Sequence, residues 1–320
     1  MYRPIATSVV LVASACTLVA SPTASAASPL AVALDNARPG DTVLLPAGTY
    51  SEDTVASPRG RRGAPITLRA ASGAVVSGGF KLIRARHVRV IGMTFDGTGN
   101  RHGFGTSIWR SHDIVFARNE ITGYRSAQGI LVKGRSTGVR LILNHIHDLG
   151  VRERYEHGIY CESARGTVID GNVIHDIASG YGIHLFGDCD GTRIVHNTIA
   201  HNGLSGIIIA GNHERGTSDR TLVARNVIAD HRKAAWSEYG FAVTEYNAGR
   251  HNVVRGNVFF GNAARRNVDC DRCAVRGNAV RDPQFVDPAH GNYALSSASP
   301  ARAVIARGRR PSRDRAAARR

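Results

Sequence analysis

Residues 167–185 read TVIDGNVIHDIASGYGIHL, and residues 192–209 read TRIVHNTIAHNGLSGIII. The two stretches are one unit written twice: apolar residues, an Asn, an apolar residue two places on, a turn, then Gly-Ile. Outward from this pair, the Asn slot recurs at Asn119, Asn144, Asn172, Asn197, Asn226, Asn257 and Asn278, at spacings of 25, 28, 25, 29, 31 and 21 residues. Met93 holds the same slot one unit earlier. Three residues before the slot stands Phe116, Leu141, Ile169, Ile194, Val223, Val254 or Val275; two after it stands Ile121, Ile146, Ile174, Ile199, Ile228 or Phe259. The second signature is Gly129-Ile130, Gly158-Ile159, Gly182-Ile183, Gly206-Ile207 and Gly240-Phe241. Self-similarity with a period near 25 predicts stacked coils. Alternation with period two inside each unit predicts strands. Propellers and helical solenoids keep a stricter period. Uneven spacing suits a parallel β coil whose turns accept insertions while its strands stay in register. Each Asn is expected at a sharp bend with its amide inside, bonded to its neighbours in the stack and to backbone that has left the ladder.

Both ends of the chain support this reading. Residues 30–50, LAVALDNARPGDTVLLPAGTY, and residues 63–79, GAPITLRAASGAVVSGG, are similar to the opening of chondroitinase-B-type polysaccharide lyases. Residues 282–301, DPQFVDPAHGNYALSSASPA, resemble the closing segment of exported bacterial β-helix proteins. With the repeats between them, the chain resembles the pectin-lyase-like superfamily over nearly all of its mature length. The resemblance implies an all-β, right-handed parallel β-helix solenoid, with a short capping helix near Leu30–Ala37. It is specific for fold. The Lys and Arg motifs of the lyase family and the Asp motifs of polygalacturonase-type hydrolases do not appear.

Composition agrees. The chain has 320 residues, of which 42% are hydrophobic and 21% charged, which places it with folded rather than disordered proteins. Thirty-five Gly and only 6% aromatics suit many tight turns over thin, layered cores. The net charge of +16 favours polyanionic partners. Residues 307–320 hold seven Arg against one Asp, and the rest of the excess is spread over the body. Arg3, the apolar run Ile5–Ala20 and the small residues Ala24-Ser25-Ala26 read as an export signal cleaved before Ala27, hence a secreted protein. Cys16 follows Ala13-Ser14-Ala15, which hints at a lipoprotein box, but the apolar run continues past it. The expected organisation is a signal peptide at 1–26, the β-helix at 27–300 and a basic, disordered tail at 301–320. Of the four other cysteines, Cys161 falls on an inward strand position, and Cys270 and Cys273 are spaced to close a small loop. Cys189 is left unassigned.

Aligning on Gly-Ile places Ile159 and Cys161, Ile183 and Leu185, Ile207 and Ile209, and Phe241 and Val243 inside. Outward positions, coil by coil, are Gln128, Leu131 and Lys133; His157, Tyr160 and Glu162; Tyr181, His184 and Phe186; Ser205, Ile208 and Ala210; Tyr239, Ala242 and Thr244. Polar and aromatic groups gather in the middle coils, as on a sugar platform. Insertions flank them, carrying Arg152, Arg154 and Tyr155, then His213, Glu214 and Arg215, then Arg232, Lys233 and Trp236. A glycosidase needs two carboxyls about 5–9.5 Å apart. Coils repeat every 4.8 Å or so, which separates Glu162 from Glu245 by roughly 14 Å. Asp188 and Asp190 could pair only through a turn. A lyase must neutralise a uronate carboxylate, remove a proton and protonate the leaving oxygen. Lys133, Arg152 or Arg154 suit the first task; His184, Tyr160 and His157 suit the others as acid or base. Glu162, Trp236 and Tyr239 complete the substrate-binding set.

The expected partner is thus an acidic polysaccharide or cell-wall polymer, met by a monomer with no membrane span and no nucleic-acid module. The protein either acts on it, as a lyase rather than a hydrolase, or only binds it. No cofactor is assigned. Calcium on Asp188 and Asp190 is one option. His147 and His175 share an outward slot with a spacing that could hold a transition metal, although Asn-x-Ile-His-Asp is also the ordinary repeat with His at the surface. N-terminal sequencing of exported protein should find a chain beginning at Ala27; a chain beginning at lipid-modified Cys16 would overturn the signal-peptide reading.

Overall fold

A computed structural model describes residues 9–11, 27–100, 104–151, 156–232 and 240–306. Every coil runs through the same three stations. A strand of sheet 1 (Val168–Asp170, for example) ends in a bend at the Asn slot. A strand of sheet 2 follows (Val173–Ile177), then a turn, then a strand of sheet 3 (Ile183–Phe186). Coils stack with all three strands in parallel register, giving sheets of eleven, ten and nine strands among the described residues. The result is a right-handed parallel β-helix. The first strand of sheet 1, Val9–Leu11, pairs with Thr42–Leu44 and falls within the segment read as an export signal.

Two features make the bend between sheets 1 and 2. The residue before each slot adopts left-handed backbone: Gly92, Arg118, Leu143, Gly171, His196, Arg225, Gly256 and Gly277, with φ between +55° and +71°. For a non-Gly residue this costs on the order of 1 kcal/mol. The Asn that follows offsets it. Asn172 Oδ1 accepts from the backbone N–H of Asn144 and from its Nδ2, both at 2.9 Å. Asn172 Nδ2 donates to Leu141 O and to Asn197 Oδ1, also at 2.9 Å. The pattern repeats from Met93, whose N–H donates to Asn119, through Asn278. Six of these amides, Asn119 through Asn257, are at most 1% exposed.

Inside the stack, like sits on like. Ile121, Ile146, Ile174, Ile199 and Ile228 form a column from sheet 2; Ile130, Ile159, Ile183 and Ile207 form one from sheet 3, all of them fully buried. Burying each such side chain is worth roughly 1.5–3 kcal/mol. Phe80, Phe95 and Phe116 fill the early coils with ring centroids 5.2–6.3 Å apart. The Gly-Ile signature has a steric cause. A Cβ on Gly158 would lie 2.6 Å from Gly182 O in the next coil, and one on Gly129 would lie 2.5 Å from Gly158 O.

The helix Pro29–Asn36 caps the N-terminal end as expected, capped itself by Ser28, whose side chain accepts from Ala31 N–H at 3.2 Å. Its Leu30, Ala31, Ala33 and Leu34 close the core. Cys161 and Cys189 are buried and free, while Cys270 and Cys273 form a disulfide. No helix among the described residues is long and apolar enough to cross a membrane.

Two expectations need correction. The tail does not begin at 301. Residues Ala301–Ala306 form a helix whose Ala301 and Ile305 pack on Val227 and Val258 of sheet 2, because Ala-x-x-x-Ile places both on one helical face. Residues 307–320 and 12–26 lie outside the described residues. The alignment on Gly240-Phe241 is two residues early: Val243, not Phe241, pairs with Ile207, and Ala242 packs into the core instead of facing out. The longer insertion before this strand absorbs the difference. Glu245 therefore pairs with Ile209, away from the column of Glu162, and accepts from Asp271 N–H.

Replacing Asn172 by Ala leaves the buried Asn144 N–H without its partner, takes one of the two acceptors from Asn144 Nδ2, which keeps Phe116 O, and removes a donor from the Leu141 carbonyl. Each unsatisfied group costs about 1–3 kcal/mol. Asn172→Ala should therefore lose about 2 kcal/mol or more in urea denaturation, and Asn278→Ala, in the partly exposed last rung, clearly less. Equal losses would show that the ladder is not the element that holds the coils.

Candidate functional site

The outer face of sheet 3 carries two columns set by strand alternation. One runs Trp109, Lys133, Glu162, Phe186. The other runs Ser107, Leu131, Tyr160, His184, Ile208, Thr244. The register brings Tyr160 beside His184, as the repeat alignment expects, with ring centroids 4.8 Å apart. His157 lies at the edge of the same patch, 4.6 Å from the His184 ring and 5.5 Å from that of Tyr160. Gln128 holds it there by accepting from His157 N–H at 2.7 Å.

The proton arrangement follows from the partners. The backbone N–H of Tyr181 donates to His157 Nδ1 at 3.2 Å, so that nitrogen is an acceptor. In a neutral ring the proton then sits on Nε2, which donates to His184 Nδ1 at 2.9 Å. His184 must therefore carry its own proton on Nε2. That atom is buried and has no hydrogen-bond partner among the described residues. Both rings are neutral at physiological pH: burial pushes His157 well below the usual histidine range, helped by His184, and burial pushes His184 down to about 3. Burial and the charge of Glu162 raise the Tyr160 phenol above its ordinary value, so it keeps its proton. The pair thus leaves a buried N–H on His184, next to a protonated phenol.

Charge collects at the other column. Glu162 pairs with Lys133 at 3.7 Å and with Arg215 from the insertion two coils on. The Lys133 ammonium also lies 5.2 Å from the centre of the Trp109 ring. Two cations against one carboxylate leave this end positive. Trp109 and the Arg215 link escape sequence reasoning. The strand Thr106–Trp109 follows Gly105-Thr106 and lacks the Gly-Ile signature, and the Arg215–Glu162 pair spans 53 residues. Asp188 and Asp190 are each engaged by an arginine. Asp188 is held by Arg165 and Asp190 by Arg220. Arg152, Arg154, Trp236 and Tyr239 lie outside the described residues. A cleft of about 310 Å³ lies elsewhere, between sheet 2 and the C-terminal hairpin, the antiparallel strands Phe285–Asp287 and Asn292–Leu295, and is lined by Val173, His196 and Tyr293 among others.

Residues 75–299 match the family model described as the right handed beta helix region. This chain belongs to the right-handed β-helix family. Within curated proteins, uncharacterized protein YwoF of Bacillus subtilis (strain 168) is 27% identical over 205 residues, covering 62% of this chain and 42% of that protein. The match thus spans less than half of that relative's length. Among solved structures, an alginate lyase from Paenibacillus sp. str. FPU-7 superposes with a TM-score of 0.56 at 19% identity, over 79% of this chain and 92% of that one. Pectate lyase Pel9A gives 0.52 at 14%, over 84% of each. The periplasmic alginate epimerase AlgG gives 0.52 at 14%, over 77% and 61%. At these identities the likeness is one of fold.

In this β-helix protein the buried histidines tie stability to pH. The unfolded chain takes up protons below about pH 6.5, while folded His184 resists until about 3. Stability is therefore full above that window and falls as pH drops through it, by about 1.4 kcal/mol per pH unit for each such group. His184→Gln should flatten the slope of unfolding free energy against pH by about that amount between roughly pH 6 and 4. An unchanged slope would mean that His184 is not buried in its neutral form.

Proposed function

We propose that the outer face of sheet 3 takes an acidic polysaccharide, and that the protein is exported to meet it. The observation that carries this reading is the neighbourhood of two columns: the His157–His184 pair, with a buried and unpartnered N–H on His184, stands in register with Tyr160, beside the column that holds the Lys133–Glu162–Arg215 cluster. A uronate carboxylate can replace Glu162 as the partner of Lys133 and Arg215, and a turn of the His184 side chain brings its buried Nε2–H to that carboxylate. Both contacts strengthen when charge builds on that carboxylate as the neighbouring carbon loses its proton to the displaced Glu162 carboxylate, which is the demand of an elimination. Tyr160 holds the proton that a leaving glycosidic oxygen needs. Arg152, Arg154, Trp236 and Tyr239 are assigned to the walls, where an aromatic stacks on a sugar ring. The structural neighbours named for alginate and pectate, and the chondroitinase-B-like opening stretch, support a uronate polymer and a lyase over a hydrolase.

The second reading is a protein that binds such a polymer without cleaving it. It draws on the tautomer: with a proton on His184 Nε2 and on Tyr160, and Glu162 in two ion pairs, no described group in the patch is a ready base at neutral pH. The two readings separate in one experiment. Alginate, polygalacturonate and chondroitin sulfate are incubated with wild type, His184→Ala and Tyr160→Phe, following both binding and the ultraviolet absorbance of unsaturated uronates. Turnover lost in both variants, with binding kept within about tenfold, supports the lyase. Binding that weakens with salt, with no product from any polymer, supports the binder. Absence of binding to every acidic polymer overturns both.

A further inference from the structure

On the outer face of sheet 2, away from that groove, three histidines meet. His147 and His175 occupy the same position in adjacent coils, with rings 5.2 Å apart and nearly parallel. His145, two residues earlier on the same face, brings its ring 4.1 Å from His147 and 4.9 Å from His175. Sequence reading found the first two and missed the third, because His145 aligns with Val173 and has no counterpart in the next coil.

The carboxylates around them decide the tautomers. Asp148 Oδ2 lies 2.7 Å from His147 Nδ1, and Asp176 Oδ2 lies 2.7 Å from His175 Nδ1. A carboxylate only accepts, so both Nδ1 atoms carry protons and both Nε2 atoms present lone pairs. His175 Nε2 faces His145 Nε2 at 2.7 Å. His147 Nε2 is buried without a hydrogen-bond partner and lies 3.4 Å from a Glu120 carboxylate oxygen, a repulsive neighbour for a lone pair. The ligand atoms of all three rings fall within 4.8 Å of one another.

We propose that His145, His147 and His175 form a binding site for a divalent transition metal such as Zn2+, with Asp148 and Asp176 as orienting partners and Glu120 beside the fourth position. Neutral imidazoles whose far nitrogens donate to carboxylates are the usual donor set for this class of ion. A tetrahedral ion with Zn–N bonds of 2.0–2.1 Å separates its nitrogens by about 3.3 Å, which small ring rotations here reach. The ion satisfies the stranded His147 nitrogen and ties two coils together. It does so under the C-terminal hairpin, whose Tyr293 packs on the His175 ring at 4.6 Å. Asp176 extends the support outward through His201 to Arg232. The site is independent of the sheet 3 groove.

The test uses the full chain without an affinity tag, freed of metal by a chelator and dialysed. Titration with ZnCl2 should show one equivalent bound at about micromolar dissociation constant or tighter, and Co2+ should give the visible bands of a tetrahedral complex. Zn2+ should also raise the melting temperature. The partly exposed pair is changed first, since those variants keep the core: His145→Gln/His147→Gln should lose at least about 100-fold in affinity and the thermal shift, and Asp148→Asn about 10-fold. His213→Gln, in an exposed loop, should bind like wild type. Binding weaker than about 0.1 mM in wild type, or undiminished in the double variant with its β spectrum intact, would overturn the site and leave a hydrogen-bonded histidine cluster.

Discussion

The amide ladder is the constraint on which the rest of this molecule depends. A coil must turn sharply between sheets 1 and 2, and the backbone groups at the turn leave the sheet ladder. Asn answers this because its amide both donates and accepts, as a peptide does, and can stack at the coil repeat. Each rung therefore hands its hydrogen bonds to the next, from Asn119 to Asn278. The left-handed residue before each slot sets the direction of the turn. Where that residue is Arg118, Leu143, His196 or Arg225, the fold accepts local backbone strain in exchange for a satisfied, buried bend.

With the bend held, register propagates to all three sheets, and this makes surface columns possible. A side chain on one coil meets its counterpart on the next at the strand spacing. Tyr160 meets His184 in this way on sheet 3, and His147 meets His175 on sheet 2. A rigid stack also tolerates insertions, since a longer turn adds to the outside without disturbing the core. The two-residue displacement before Val243 is a case in point: the strand resumes its register after the insertion, and only the position of the Gly signature moves.

The histidines show how the same residue type serves different ends according to its second nitrogen. On sheet 3 a backbone N–H binds His157 Nδ1 and leaves a buried N–H donor at His184 Nε2. On sheet 2 carboxylates bind Nδ1 of His147 and His175 and leave lone pairs. The first arrangement suits an anionic ligand and the second a cation. Neither is visible in the identity of the residues, because a tautomer is set by partners that the fold supplies.

The repeat alone determined the stack of parallel coils, the inward Asn column and the outward placement of Lys133, Tyr160, Glu162 and His184, while the capping helix near Leu30 came from the resemblance of the opening stretch. These follow from local pattern: an Asn flanked by apolar residues at set offsets has one way to be buried, and period two assigns every strand residue to a face. Tertiary structure decided what depends on neighbours distant along the chain. Arg215 reaches Glu162 across 53 residues, His145 joins His147 and His175, and Arg165 and Arg220 occupy the turn aspartates. The helix Ala301–Ala306 exists as a packed element because sheet 2 offers Val227 and Val258 to its apolar face. A short helix is marginal by itself, so no reading of residues 301–306 in isolation could have found it.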